Sequence, residues 1–111
     1  MKRLVSLFIF LVSISSFASE SVYKEKFDDP RGVFFTEEAF NIKADGKFDV
    51  TQSLQDAINQ LKRERNFGVL YIPEGKYRIT KTIYVPGSIR LIGYGAKRPE
   101  FILAKNTPGY Q

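Results

Sequence analysis

The stretch VLYIPEGKYRI at residues 69–79 decides the fold, because a related stretch, RLIGYGA at residues 90–96, follows it along the chain. In each, a short apolar strand runs into a turn, and the two strands start 21 residues apart. A second pair of short apolar segments, residues 82–85 and 100–103, is offset by 18 residues. Two interleaved series of strands at a nearly constant spacing predict a chain that winds and stacks as a β-solenoid.

Five candidate strands follow Gly68, and each is short, rich in β-branched or aromatic residues and bounded by turn residues. They are residues 69–72, 76–79, 82–85, 89–92 and 101–103. An antiparallel meander is the alternative, but it would favour longer strands joined by two-residue turns such as Asn-Gly. Short strands with connections of unequal length favour coils that stack in parallel.

An amphipathic helix is predicted before these strands. Apolar residues recur there at helical spacing and form one stripe, Leu54, Ala57, Ile58 and Leu61. Three residues are each suitable as its N-cap, namely Asp49, Thr51 and Ser53. A turn at Asp45-Gly46-Lys47 precedes the helix, and Asn66-Phe67-Gly68 ends it. The apolar stretch at residues 34–42 is expected to form a first short strand or a segment that covers the core.

The N-terminus has the three-part pattern of a secretory signal peptide. A basic start is followed by an apolar run at residues 4–17 and by small residues at the expected cleavage point after Ala18. A membrane anchor is the alternative, but this run is shorter than the roughly 20 residues that span a bilayer. We therefore expect a secreted or periplasmic protein with no membrane segment after cleavage, and a polar, mobile leader at residues 19–33.

Composition excludes several classes of site. The chain has no His and no Cys, which rules out serine triads, a disulfide framework and most transition-metal sites. The net charge is +5, and the basic residues are spread out except for Lys62, Arg63 and Arg65, which indicate a solvated helix end. Nucleic-acid binding would need basic and aromatic residues interleaved on one face, and the sequence shows no such pattern, so we expect no nucleic-acid partner. A polyanion such as an acidic glycan is compatible with the charge.

The residues described so far carry a resemblance to a known superfamily. Residues 45–51, the Ala57-Ile58 pair and residues 69–77 resemble the start of pectate-lyase-like proteins, and especially of rhamnogalacturonase/epimerase-like domains. Residues 89–95 resemble the next coil of those proteins. The resemblance covers about residues 40–95. It departs from the family pattern at Val50, which stands between Asp49 and Thr51 where a second Asp often precedes the Thr.

The resemblance implies a mostly β fold: an N-terminal capping helix and the first coils of a right-handed parallel β-helix, a truncated solenoid. The apolar helix stripe would close the open end of the first coil, as solenoids require for solubility. The implied organisation is a signal peptide at residues 1–18, the leader at 19–33, and the cap with the first coils at 34–111.

No acidic residue lies in a pattern with catalytic specificity, so we predict no catalytic, cofactor-binding or metal-binding residue. The candidate acids are Asp28, Asp29, Glu37, Glu38, Asp45, Asp49, Asp56, Glu64, Glu74 and Glu100. Asp28-Asp29 before Pro30 indicates a solvated turn, and Glu37-Glu38 after Thr36 a short capped turn. Asp45 and Asp49 lack the spacing of a calcium loop, and Glu74 occupies a turn tip.

Tyrosines are the other candidates, because their rings can stack on sugars: Tyr71, Tyr77, Tyr84, Tyr94 and Tyr110. Strand alternation favours core packing for most of them. The resemblance implies that the chain is the N-terminal part of a secreted polysaccharide-active β-helix protein, hydrolase or lyase, inactive alone and without a cofactor. The alternative is a non-catalytic glycan-binding or structural β-helix module of the cell envelope. The partner is a polysaccharide in both cases, and the oligomeric state stays open.

Overall fold

The computed structural model describes residues 20–105, which form six strands and two helices. In chain order they are β1 (Val33–Phe34), α1 (Glu37–Phe40), β2 (Asp45–Asp49), α2 (Thr51–Arg65), β3 (Gly68–Pro73), β4 (Lys76–Ile79), β5 (Ile89–Tyr94) and β6 (Glu100–Leu103). The predicted signal peptide, its cleavage point after Ala18 and Tyr110 lie outside the described residues.

The strands form two three-stranded parallel sheets, with orders β1-β3-β5 and β2-β4-β6. Consecutive strands therefore lie in different sheets, and each strand pairs with the next but one along the chain. Parallel neighbours need a long connection, which here passes through the other sheet rather than through a hairpin. The parallel, mostly β architecture expected from the repeat is confirmed, and the antiparallel meander is excluded for residues 20–105.

The two strands of the sequence repeat, which begin near residues 69 and 90, pair with each other. Strands β3 and β5 align in parallel residue for residue, from Gly68 opposite Ile89 to Pro73 opposite Tyr94, at the 21-residue offset of the sequence. Side chains alternate along a strand, so Leu70 and Ile72 enter the core while Tyr71 points to the other face. The spacing of the sequence therefore predicted this register.

The second predicted pair of strands, residues 82–85 and 100–103, was wrong for its first member. Residues 82–85 join neither sheet, and β6 pairs instead with β4, from Lys76 opposite Glu100, an offset of 24 residues. These residues contact a side chain of α2 instead. The Gln55 Nε2 atom donates to the Tyr84 carbonyl at 3.0 Å, and the Tyr84 backbone N–H donates to Gln55 Oε1 at 2.8 Å. The amide thus pairs with both backbone groups of Tyr84, as a neighbouring strand would.

Helix α2 buries the predicted stripe: Leu54, Ala57, Ile58 and Leu61 are all buried. The helix ends at Asn66, as the sequence predicted, and this residue adopts the left-handed conformation with a φ of 66°. Gly68 then starts β3 with a φ of +155°, and a Cβ atom there would lie 2.9 Å from Leu61 Cδ1. Close packing of the helix on the strand therefore requires glycine.

The start of α2 differs from the prediction. The N-cap is Val50, which makes no side-chain capping bond, so none of Asp49, Thr51 and Ser53 is the cap. Asp49 acts from one position earlier, because its Oδ1 accepts from the Thr51 backbone N–H at 3.0 Å. An acceptor placed just outside the cap satisfies one of the free N–H groups of the first turn.

Two short segments before α2 were predicted in part. The Asp45-Gly46 turn forms within β2, where Asp45 Oδ1 accepts from the N–H groups of Lys47 and Phe48 and the pairing with β4 shifts register. The stretch at residues 34–42 holds the end of β1 and all of α1, and its Phe35 and Ile42 side chains are buried in the core. The predicted capped turn is confirmed, because Thr36 is the N-cap of α1 and its Oγ1 accepts from Ala39.

The core lies between the two sheets and α2. Its most buried large side chains include Phe35, Leu54, Ile58, Leu70 and Tyr77. Two connections run beside each other along this core: α2, which joins β2 to β3, and residues 80–88, which join β4 to β5. Besides the Gln55 bonds, Lys62 Nζ donates to the Gly87 carbonyl at 3.3 Å. Among residues 20–105, no helix has the length and apolar character needed to cross a bilayer.

Candidate functional site

An aromatic stack covers the outer face of the β1-β3-β5 sheet. The Tyr71 ring lies between Phe27 of the leader, at 4.7 Å, and Phe34 of β1, at 4.8 Å, with interplanar angles of 26° and 20°. Phe34 also meets Tyr94 edge-on, and Lys26 Nζ lies 4.5 Å from the Phe34 ring centre. The parallel register sets this up, because Phe34 lies opposite Tyr71. Protein side chains thus occupy the faces that the Tyr71 ring could offer to a sugar.

The leader lies along this face. The Tyr71 hydroxyl donates to Asp29 Oδ2 at 2.7 Å, the Gly95 N–H donates to the Tyr23 carbonyl at 2.9 Å, and Ser21 is buried. These contacts join residues more than 40 positions apart, and sequence reasoning did not anticipate them. The mobility expected of residues 19–33 concerns motion and stays a prediction.

A cleft of about 360 Å³ opens where the leader meets the end of α2. We call it the arginine cleft and define it by its lining residues, Asp29, Arg31, Arg65, Phe67, Gly68 and Val69. Arg65 Nη1 donates to the Arg31 backbone carbonyl, which joins the two sides. The sequence indicated a solvated helix end at Arg65, and its side chain is exposed. The cleft itself was missed because its residues come from two distant segments.

Asp29 is the acidic member of this cleft, and its carboxylate is well supplied with donors. The hydrogen bond from Tyr71, and then that from the Arg31 backbone N–H, lower the pKa of Asp29 below its ordinary value. The same Asp29 bond and burial raise the pKa of the Tyr71 hydroxyl. The predicted turn at Pro30 is present, because the Gly32 N–H donates to the Asp29 carbonyl at 3.0 Å. Asp29 thus anchors the leader as a hydrogen-bond acceptor.

A second polar network joins the start of α2 to the end of β4. Asp49 Oδ1 accepts from the Thr51 hydroxyl at 2.6 Å, and Asp49 Oδ2 accepts from the Thr80 hydroxyl at 2.7 Å. The Thr80 N–H donates to Thr51 Oγ1 at 2.8 Å. Burial acts to raise the pKa of Asp49, but the bonds from Thr51 and Thr80 outweigh it and lower that pKa. The Asp-x-Thr pattern is thus a structural connection between coils.

Three other candidate acids, Asp45, Glu37 and Glu74, accept hydrogen bonds from backbone N–H groups. Two hydrogen bonds from backbone N–H groups, at Lys47 and Phe48, lower the pKa of Asp45. Glu37 Oε2 accepts from the Ala44 N–H at 2.8 Å, and Glu74 Oε1 accepts from the Ala96 N–H at 3.0 Å, next to Lys97. A general acid needs a raised pKa to hold its proton near neutral pH. Carboxylates with lowered pKa values suit the role of acceptors.

The tyrosine candidates divide between the interior and the surface. Tyr71, Tyr77 and Tyr94 are all buried, but of these three only Tyr77 packs in the core, where its hydroxyl donates to the Pro73 carbonyl at 2.6 Å. Tyr71 and Tyr94 belong to the aromatic stack on the outer face of the sheet. Burial raises the pKa of Tyr77 and of Tyr94. Tyr84 is 71% exposed and lies beside α2. Within the part of the chain that the structure describes, no three acidic side chains come together as metal ligands would.

Comparison with known proteins agrees with this architecture. The family model described as rhamnogalacturonase A/epimerase, pectate lyase-like, matches residues 36–111. No curated protein and no solved structure matches the chain significantly. The match covers more than half of the chain and includes the Asp49 network and the Glu74 carboxylate that accepts from Ala96. The chain therefore belongs to the rhamnogalacturonase A/epimerase, pectate lyase-like family.

Proposed function

We propose that this chain supplies the N-terminal cap and first coils of a secreted, polysaccharide-active right-handed β-helix protein of the hydrolase or lyase type. On this proposal α2 closes one part of the core, and the groove that processes the glycan is built on later coils. The family membership and the two parallel sheets support it. The chain alone would turn over no glycan.

The observation that carries the proposal is an apolar core that remains open beside β5 and β6. A cavity of about 200 Å³ is lined entirely by apolar side chains: Leu54, Ile79, Ile83, Val85, Leu91, Phe101 and Leu103. Of these, Phe101 is 44% exposed and Leu103 is 46% exposed. Strands β5 and β6 each have a paired neighbour on one side only among residues 20–105. A further coil would cover these side chains and pair with both strands.

The state of the carboxylates supports the lack of turnover by this segment. Glycoside hydrolysis uses two carboxyl groups on opposite sides of the scissile bond, and one of them must hold a proton. Asp29, Asp45 and Asp49 have lowered pKa values and accept hydrogen bonds from the protein itself. These carboxylates are engaged in holding the leader, β2 and α2 in place.

The signal-peptide pattern supports export of the protein. We expect cleavage after Ala18, so that the mature chain starts at Ser19 in the medium or the periplasm. Fractionation of the producing cells and N-terminal sequencing of the recovered protein check this. A protein that stays in the cytoplasm with Met1 or Lys2 at its N-terminus would contradict the export proposal.

Two measurements test the proposed function. The purified protein is incubated with polygalacturonan, rhamnogalacturonan and a neutral β-glucan, and both new reducing ends and unsaturated uronate products are followed. We expect neither product. The gene is then read beyond the codon for Gln111, where we expect further coils of twenty-odd residues with carboxylates at groove positions. Turnover by this chain would contradict the proposal that it is inactive alone. A coding region without such coils would contradict the proposal that it belongs to a longer polysaccharide-active enzyme.

A non-catalytic glycan-binding module of the cell envelope is the second candidate function. The arginine cleft favours it, because two exposed guanidinium groups and an exposed aromatic ring line one concave surface. The reading of the gene separates the two candidates: further coils with groove carboxylates favour the enzyme, and their absence favours the binding module.

A further inference from the structure

We propose that residues 20–29 of the leader form a releasable strap, which closes over the outer face of the β1-β3-β5 sheet and opens as one unit while the core stays folded. In the closed state, Phe27 stacks on the Tyr71 ring, and Lys26 Nζ lies 4.5 Å from the centre of the Phe34 ring. Opening uncovers these two rings of the sheet. Such a strap needs no glycan and is therefore independent of the proposed function.

One end of the strap pairs with the turn that follows β5. The Gly95 N–H donates to the Tyr23 carbonyl at 2.9 Å, and the Ser21 N–H donates to the Ala96 carbonyl at 3.2 Å. An antiparallel bridge extends this pairing by one residue on each side, and Ser21 is buried here. Because these bonds join backbone groups, the strap is added to the turn in the manner of a short strand.

The other end of the strap is held through one side chain of β3, that of Tyr71. Its hydroxyl donates to Asp29 Oδ2 at 2.7 Å, and its ring stacks on Phe27 with the ring centres 4.7 Å apart. A Cβ atom at Gly32 would lie 2.3 Å from Tyr71 Cε2, so the backbone at the base of the strap also lies against this ring. Two strap residues, Phe27 and Asp29, thus depend on one tyrosine for their contact with the sheet.

The strap contributes little to the core, so its release costs less than unfolding. No residue from 20 to 29 belongs to the apolar core, and the ion pair between Lys24 and Glu20 lies within the strap itself. Segments with few buried apolar contacts open locally at a smaller free energy than the core. Four charged side chains between the two ends are exposed: Lys24, Glu25, Lys26 and Asp28.

Limited proteolysis of the full purified chain tests whether the strap is closed. Trypsin cleaves after Lys24 and Lys26, and it binds its substrate as an extended chain, so cleavage there reports the open state. The reference for each rate is a synthetic peptide of residues 19–32 with the same substitution, which corrects for changes near the cleaved bond. We expect the intact chain to be cut at these two sites at least about tenfold more slowly than the peptide.

Two substitutions should open the strap. Tyr71→Phe removes the hydroxyl that donates to Asp29 but keeps the ring, and Phe27→Ala removes the stacked ring from the strap. Each should raise the corrected cleavage rate about tenfold, because a bond to a carboxylate or an aromatic pair is lost. The matched controls are Tyr84→Phe, which removes an exposed hydroxyl, and Val22→Ala, which shortens an exposed side chain of the strap. Both controls should change the rate less than about twofold.

Amide hydrogen exchange shows whether the strap moves as one unit. Tyr71→Phe breaks the bond to Asp29, whereas the Gly95 N–H bonds to Tyr23 near the opposite end of the strap. If the two ends move together, this substitution should speed exchange of the Gly95 amide about tenfold, as it does cleavage. Exchange at Ile58, in the middle of α2, should change less than about twofold, since the core stays folded.

Several results would overturn the proposal. Equal cleavage of the intact chain and the peptide would show that the strap is not closed, and unchanged cleavage in both Tyr71→Phe and Phe27→Ala would show that Tyr71 does not hold it. Faster cleavage in Tyr71→Phe with unchanged exchange at Gly95 would show that the two ends move separately. Equal acceleration of exchange at Gly95 and Ile58 would show that the strap opens only when the whole chain unfolds.

Discussion

At the scale of single residues, hydrogen-bonded carboxylates hold the coils of this chain together. Asp29, Asp49 and Glu74 each accept from groups in a different part of the chain: Tyr71, Thr80 and Ala96, respectively. Each bond links segments separated by 22 residues or more. In a fold with no Cys, such bonds take over part of the role of cross-links. The bonds to Asp29 and Asp49 also lower the pKa of these two carboxylates, which makes them poorly suited to act as general acids.

The Asp49 network predicts how stability depends on pH. The folded-state pKa of Asp49 is lowered, so its stabilising contribution is complete above the unfolded-state pKa, about 3.9, and is lost as the pH falls through the folded-state pKa. Asp49→Asn removes the charged acceptor of the Thr51 and Thr80 hydroxyls. We expect it to cost about 1 kcal/mol at pH 7 and much less at pH 2. Urea denaturation at both pH values measures this difference.

Asp28→Asn is the matched control, because Asp28 is exposed and changes charge in the same way. It should alter the free energy of unfolding by less than about 0.5 kcal/mol at either pH. If Asp49→Asn is as destabilising at pH 2 as at pH 7, the carboxylate charge does not contribute through this network.

At the scale of elements, α2 acts both as a wall of the core and as a substitute strand. The sequence predicted that α2 packs against the core, because apolar residues at helical spacing lie on one face of a helix and that face is buried. It did not predict the substitute strand, because residues 82–85 have the composition of a strand. Their backbone partner is the Gln55 side chain, and a polar side chain on an exposed helix face gives no signal of such a bond.

Removal of the Gln55 amide should therefore loosen residues 80–88. Gln55→Ala leaves the Tyr84 N–H and carbonyl without their partner on α2, and we expect a loss of about 1–2 kcal/mol of stability. The substitution should accelerate amide hydrogen exchange by a larger factor at Tyr84 than at amides outside residues 80–88. Gln52→Ala is the control, because within residues 20–105 the Gln52 side chain bonds only to Asp56 on the same helix. Unchanged exchange at Tyr84 in Gln55→Ala would mean that another contact holds this segment.

The apolar stripe gives a second prediction at this scale. Leu61→Asp places a charge where the side chain is buried, beside Gly68 of β3. We expect a loss of about 3–5 kcal/mol, since an unpaired buried charge combines with a lost apolar contact. Asn59→Asp introduces the same residue on the exposed face, where Gln55 still finds an acceptor, and should cost less than about 0.5 kcal/mol. Equal denaturation midpoints for the two variants would show that α2 does not cover the core.

At the scale of the whole molecule, the sequence predicted most of the winding and little of the candidate site. The β3–β5 offset was visible because both strands bury one face in the same core, so similar residues recur. The partner of β6 was not, because the connection from β5 to β6, residues 95–99, is three residues longer than the connection from β3 to β4, residues 74–75, and this makes the β4–β6 offset larger than the β3–β5 offset. The arginine cleft joins Arg31 to Arg65, and no local pattern relates two exposed arginines that far apart.

The open apolar core beside β5 and β6 predicts self-association of the purified chain. Exposed Leu103 and the single-sided pairing of both strands within residues 20–105 favour contact with another apolar surface. Sedimentation velocity should show concentration-dependent oligomers at micromolar protein. Leu103→Lys should raise the concentration for half association at least about tenfold, because burying one such side chain contributes about 1.5–3 kcal/mol. Val22→Lys, which changes an exposed apolar residue of the leader, should leave association unchanged. A monomer at every concentration, with a sharp and reversible melt at high temperature, would mean that residues 20–105 are complete as a folded unit and need no further coil.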